Sequence, residues 1–156
     1  MKKQVVVASS VVFFALALCG AARAAALSGT ETALVQAVNE VRTANRLQPL
    51  RIDRRLVRAA RAHTATMLKS DVLTHGSFGS RLDASGARGP RFGENLAWAT
   101  GSSSVARALV QAWLASPGHR ANLLRPGFTR IGIGARAGSF AGYRDATVVT
   151  ADFAGQ

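Results

Sequence analysis

The chain has 156 residues, 48% of them hydrophobic, and its 20 bases against 8 acids give a formal charge of +12. That length suits one domain with one hydrophobic core, and a surface so basic attracts polyanions. The single cysteine, Cys19, falls in the leader described next, which excludes a disulfide framework and a cysteine nucleophile from the remainder.

Lys2 and Lys3, the almost wholly apolar run from Val5 to Leu18, and the small-x-small site Ala22-Arg23-Ala24 read as a secretory signal peptide over residues 1–24. A membrane anchor is the rival reading, but the run is shorter than the ~20 residues of a spanning helix, and no later segment approaches that length. Cys19 loosely resembles a lipoprotein attachment site, yet Leu18 stands where such sites want a small residue, so lipidation is the lesser alternative. Removal of 24 residues leaves 132 with 17 bases and 8 acids, a formal charge of +9. Sixteen of those bases are arginine, a bias that codon usage alone can produce. A secreted or periplasmic protein is expected, with no transmembrane span once the signal is removed. It is expected as a monomer, without nucleic-acid partners; its ligand would lie in the cell envelope or outside the cell, with anionic lipid head groups and envelope polymers as plausible partners.

The folded domain is expected over residues 30–154. Leu34, Val38, Val41 and Asn45 recur at helical spacing over 30–46, with Thr30 as cap and Glu31 where the helix dipole favours an acid. After Pro49, Asp53 caps a second helix running to about Lys69, with Leu56, Ala60, His63 and Met67 on one face and Arg54, Arg58 and Arg61 elsewhere. Glycines and Pro90 break the pattern over 71–90, which reads as a long loop with a helical turn near 80–85. A short strand follows over 94–99, then a third helix over 102–115 in which Val105, Leu109 and Trp113 recur every four residues. Ser116-Pro117, a cap followed by proline, opens a short helix to Leu124. Strands over 129–135 and 146–153, joined through Gly142 and Tyr143, complete an α+β layered domain.

Several chemistries are excluded by spacing. His63, His75 and His119 contain no four-residue pair of the zinc-protease kind, no Gly-x-Ser-x-Gly elbow occurs, and no phosphate-binding glycine motif follows a strand. His63 lies on an apolar helix face and reads as a core residue bonded to nearby backbone. His75 stands in a glycine-rich loop, His119 in the first turn of a capped helix, and Glu94 between Gly93 and Asn95. Two imidazoles and a carboxylate are a candidate site for zinc or another divalent cation with a position left for water.

The run Gly93-Glu94-Asn95-Leu96-Ala97, then Trp113, then Ser116-Pro117-Gly118-His119-Arg120-Ala121-Asn122-Leu123-Leu124, then Phe128-Thr129-Arg130-Ile131-Gly132-Ile133-Gly134 resembles the ordered signature of the CAP superfamily in its bacterial SCP-like form. That superfamily groups cysteine-rich secretory, antigen 5 and pathogenesis-related 1 proteins. Ala59 to His63 with Met67, Thr74-His75 and Asp152-Phe153 fit the same order, so the likeness covers about Leu34 to Phe153. It implies an α-β-α sandwich with a small, three-stranded antiparallel sheet between helices. It also implies a cleft lined in many members by two histidines and two acids, where some members hold a divalent ion. His75 and Glu94 match the first histidine and first acid, and His119 matches the second histidine of the bacterial pattern. The second acid, which follows the tryptophan elsewhere, is replaced here by Leu114, Ala115 and Ser116. The expected function is therefore a secreted CAP-type binding or accessory module rather than an enzyme. Its rivals are a metal-assisted hydrolase with Glu94 as base, and a lipid or sterol binder using Phe78, Leu82, Phe92 and Trp98, residues more economically read as core.

Overall fold

The computed structural model describes residues 26–101 and 105–155. The expected signal peptide with Cys19, and Ser102 to Ser104 of the helix expected over 102–115, lie outside them. The first helix, α1 (Gly29–Ala44), starts one residue before the expected cap. Ser28 accepts from Glu31 N at 3.2 Å while Glu31 Oε2 accepts from Ser28 N at 2.7 Å, a reciprocal box that satisfies two otherwise orphaned donors. A two-residue strand, β1 (Arg51–Ile52), leads to α2 (Arg54–Ser70), where Asp53 is the cap as expected and accepts from Arg55 N at 2.8 Å. The helical turn expected in the following loop is a full helix, α3 (Phe78–Ser85). Then come β2 (Phe92–Thr100), α4 (Val105–Ala115), α5 (Pro117–Leu123), β3 (Phe128–Phe140) and β4 (Tyr143–Gly155).

The sheet runs β1-β3-β4-β2. β2, β4 and β3 are antiparallel, as expected, and β1 adds a short parallel pairing, Arg51 with Arg130 and Ile52 with Ile131. Alternation along β4 divides the core. Val149, Ala151 and Phe153 join Ile131 and Ile133 against α1, α4 and α5, with Leu34, Val38, Leu109 and Trp113 buried among them. Ala146, Val148 and Ala154 face the other side, against Met67, Leu56, Ala59 of α2 and Leu82 of α3. The molecule is thus an α-β-α sandwich.

Two features fix the layers. A Cβ on Gly132 would fall 2.2 Å from Leu56 C, and one on Gly134 would fall 2.4 Å from Ala60 C, so the α2 backbone rests directly on β3 where those side chains are missing. On the opposite layer Arg42 is 1% exposed, and its guanidinium donates to Gln48 O (3.0 Å), Leu123 O (2.8 Å), Arg125 O (3.2 Å) and Phe128 O (3.0 Å). Burial lowers its pKa from the usual arginine value, and four carbonyls supply the acceptors that a buried cation needs.

Candidate functional site

His75, in the link between α2 and α3, is held from both sides. His63 on α2 is buried, and its Nε2–H donates to Thr74 O at 2.7 Å, which fixes the tautomer because a carbonyl only accepts. Arg81 on α3 donates through Nη1 to His75 O at 2.7 Å. Gly76 turns the chain between them at φ 50°, a conformation that favours glycine. The backbone so placed brings His75 Nδ1 to 2.7 Å from Glu94 Oε1, while Arg81 Nη2 donates to Glu94 Oε2. Both Glu94 oxygens are therefore engaged by cationic or polarisable donors. Its carboxylate is 2% exposed and the His75 side chain is 60% exposed, so Nδ1 faces the protein while the ring is open to solvent.

His119 comes from α5, in the other layer. It is half-buried, and its pKa is lowered by burial and then by the neighbouring His75. Its carbonyl accepts from Asn95 Nδ2 at 3.0 Å. The expected Ser116 cap is corrected: Ser116 does stand at the N-cap, but its hydroxyl makes no capping bond, and Pro117 and the Arg120 N to Ser116 O bond of 2.8 Å start α5 instead. Among the described residues no three histidine, cysteine, aspartate or glutamate side chains are arranged as a metal-ion cage.

The site contains residues that sequence reasoning passed over. Asp152 pairs in register with Glu94 and is fully buried beneath it. No donor among the described residues reaches either of its oxygens. Burial first, then the Glu94 charge, push it up to about 8, only partly offset by Arg81. As two carboxylates the pair has no donor between them, but a proton on Asp152 lets it donate to Glu94. Arg81 faces the pair through its bond to Glu94. His63 is lowered chiefly by burial and then by the Arg81 charge.

The rest of the signature secures β2, the outer strand of the sheet. Trp113 Nε1 donates to Leu96 O at 3.0 Å, and Asn122 Nδ2 donates to Glu94 O at 3.2 Å and to Asn95 Oδ1 at 2.9 Å. Gly93 leaves room for Asn122 and Phe128, whose atoms a Cβ there would meet at 2.8 and 2.9 Å. A concavity of about 660 Å³, lined by Ala33, Ala37, Val105 and Ala106 among others, lies between α1 and α4 and contains none of these residues.

The sequence profile of the cysteine-rich secretory protein family, CAP, matches residues 35–153. The chain belongs to this family. Its CAP domain is 35% identical over 113 residues to the Bacillus subtilis protein YkwD, covering 69% of this chain and 43% of that one. An extracellular SCP-domain protein from Bacillus anthracis superposes with a TM-score of 0.68 at 28% identity, over 82% of this chain and 41% of that one. An outer surface protein of Borrelia burgdorferi shares the fold, with a TM-score of 0.60 at 23% identity over 81% of this chain and 93% of its own. The chain spans less than half the length of the two Bacillus proteins. No helix of the described residues is long and apolar enough to cross a membrane.

Proposed function

We propose that this chain is an extracytoplasmic CAP domain that works as a binding or accessory module, and that its edge cluster takes a divalent cation, zinc being the natural probe. The extracellular and outer-surface character of the related proteins supports the location. The single observation that carries the ion site is the 2.7 Å bond from His75 Nδ1 to Glu94. A histidine bound at Nδ1 by a carboxylate keeps its Nε2 lone pair available, and that carboxylate orients the ring and raises its basicity. His75 and His119 would hold the ion, with water completing the set, and Glu94 would act on it through His75. The donor set fits zinc in kind but is sparse, and the Arg81 charge behind Glu94 opposes a second cation, so affinity would be weak. A bound ion would supply Lewis acidity. Glu94, with both oxygens engaged, is poorly placed to activate water, which favours a binding role.

Calorimetric zinc titration is the test. Affinity should fall about tenfold or more in His75→Ala and in His119→Ala, and 10- to 100-fold in Glu94→Gln. It should also fall as pH drops through the histidine range, because a protonated imidazole offers no lone pair. Equal affinity in the wild type and the histidine variants would overturn the site.

A further inference from the structure

The bases of this domain are not spread evenly. Arg51 stands on β1, and Arg54, Arg55 and Arg58 stand on the first turns of α2, all exposed. Contacts bring the link into β2 to the same end of the sheet. Arg130, the register partner of Arg51, bonds Asp53 at 2.6 Å and the Arg88 carbonyl, while Gly155 N donates to Arg91 O at 3.0 Å. Exposed Arg88 and Arg91 therefore join the other four. Against them stand Asp53, already bound by Arg130, and Asp83 on α3, near the Ser85 carbonyl that Arg58 holds at 2.8 Å. The remaining exposed acids lie elsewhere: Glu40 on α1, Asp71 after α2, and Asp145 past the hairpin that joins β3 to β4. Six of the thirteen exposed bases among the described residues thus form one group at this end, with Asp53 and Asp83 the acids beside it, and the other seven stand outside this group. In its midst Ile52 is 52% exposed, an apolar side chain that the fold leaves uncovered.

We infer that this arginine end docks on an anionic lipid surface, the guanidinium groups meeting head-group phosphates and Ile52 entering the interface. Guanidinium forks match phosphate geometry, and each base near an anionic membrane adds to its attraction. A soluble polyanion would use the charge but would have no use for Ile52, which selects the bilayer. The inference uses none of the residues of the histidine cluster.

The test is partition of the full chain between vesicles of phosphatidylcholine alone and vesicles containing phosphatidylglycerol. Apolar residues 5–18 can enter either kind, so the readout is the ratio of the two partition coefficients. A ratio of about 10 or more is expected at low ionic strength, collapsing in 1 M salt, where the screening length is only ~3 Å. Arg54→Glu with Arg55→Glu should lower the ratio about tenfold or more. Acids at an exposed helix start suit the helix dipole, so this variant should fold. Lys69→Glu with Arg144→Glu makes the same change of formal charge away from the arginine end and should leave most of the ratio intact. Ile52→Ser should weaken binding to anionic vesicles about fivefold while leaving binding to inorganic polyphosphate unchanged. A ratio near 1, equal losses in the two double variants, or an Ile52→Ser variant that binds vesicles like the wild type would each overturn the proposal.

Discussion

Gly132→Ala tests how α2, and with it the histidine cluster, is seated. The new methyl would sit 2.2 Å from Leu56 C and 2.3 Å from Val57 N, and relaxed carbon contacts need roughly 3.5 Å. Both obstructing atoms are helix backbone, so no rotamer change relieves them and α2 must withdraw by about 1 Å. Overpacking ordinarily costs 1–3 kcal/mol, and a gap of that width forfeits a quarter to a half of each contact along the seam. A loss of ~3 kcal/mol or more is expected from urea denaturation. Two alanine substitutions serve as internal references. At Gly138 the three atoms nearest the Cβ belong to the flexible Leu68 side chain, the first at 2.9 Å, and the change should cost less than half as much. At Gly118 nothing lies within 4 Å, and the change should be neutral or stabilising. A Gly132→Ala loss below 1 kcal/mol, or no larger than that of Gly138→Ala, would refute direct backbone seating.

Ser116→Ala should change stability by no more than a few tenths of a kcal/mol in the same denaturation assay, because the hydroxyl makes no capping bond. Arg42→Met should cost about 3 kcal/mol or more by thermal or urea unfolding, since four carbonyl acceptors lose their donor together. Asp152 gives a pH signature. Its folded pKa is raised to about 8 from an unfolded value near 4, so the native state holds an extra proton between those limits. Its stabilising contribution is complete below pH ~4 and declines by at most ~1.4 kcal/mol per pH unit up to about 8. His63 and His119, both lowered, act in the opposite direction as pH falls below the ordinary histidine range. Subtracting the Asp152→Asn profile isolates the aspartate. A difference that is flat between pH 4 and 8 would show Asp152 ionised in the fold.

Much of the architecture was legible because one-sided burial writes its period into sequence. Leu56, Ala60, His63 and Met67 announced α2, and Ile131 and Ile133 between glycines announced β3, although not that those glycines seat a helix. The outer ends of β3 and β4 were harder to read. Ala141 and Gly142 both have positive φ, 51° and 83°, forming a two-residue primed turn, and alanine in the first of these positions conceals the usual asparagine-glycine sign. β1 is too short to show any period. His75, Glu94 and His119 could be nominated singly from loop position, charge and capping, and the structure bonds the first two and sets the third nearby. Asp152, read only as part of the signature, and Arg81 were not nominated for the site because their meaning is relational. An acid among the apolar residues of β4 becomes unusual only once register sets it against Glu94, and Arg81 is one arginine among many until α3 points it inward.

The outer edge of β2 has a consequence for self-association. An outer strand normally offers a row of carbonyls on which a second copy can propagate the sheet, the first step of aggregation during folding. Here Trp113 and Asn122 occupy the acceptors of Leu96 and Glu94, and α5 lies alongside. The same side chains that make the family signature recognisable also take up two of that edge's acceptors, and a chain whose α4 and α5 have yet to dock leaves both open to its own copies.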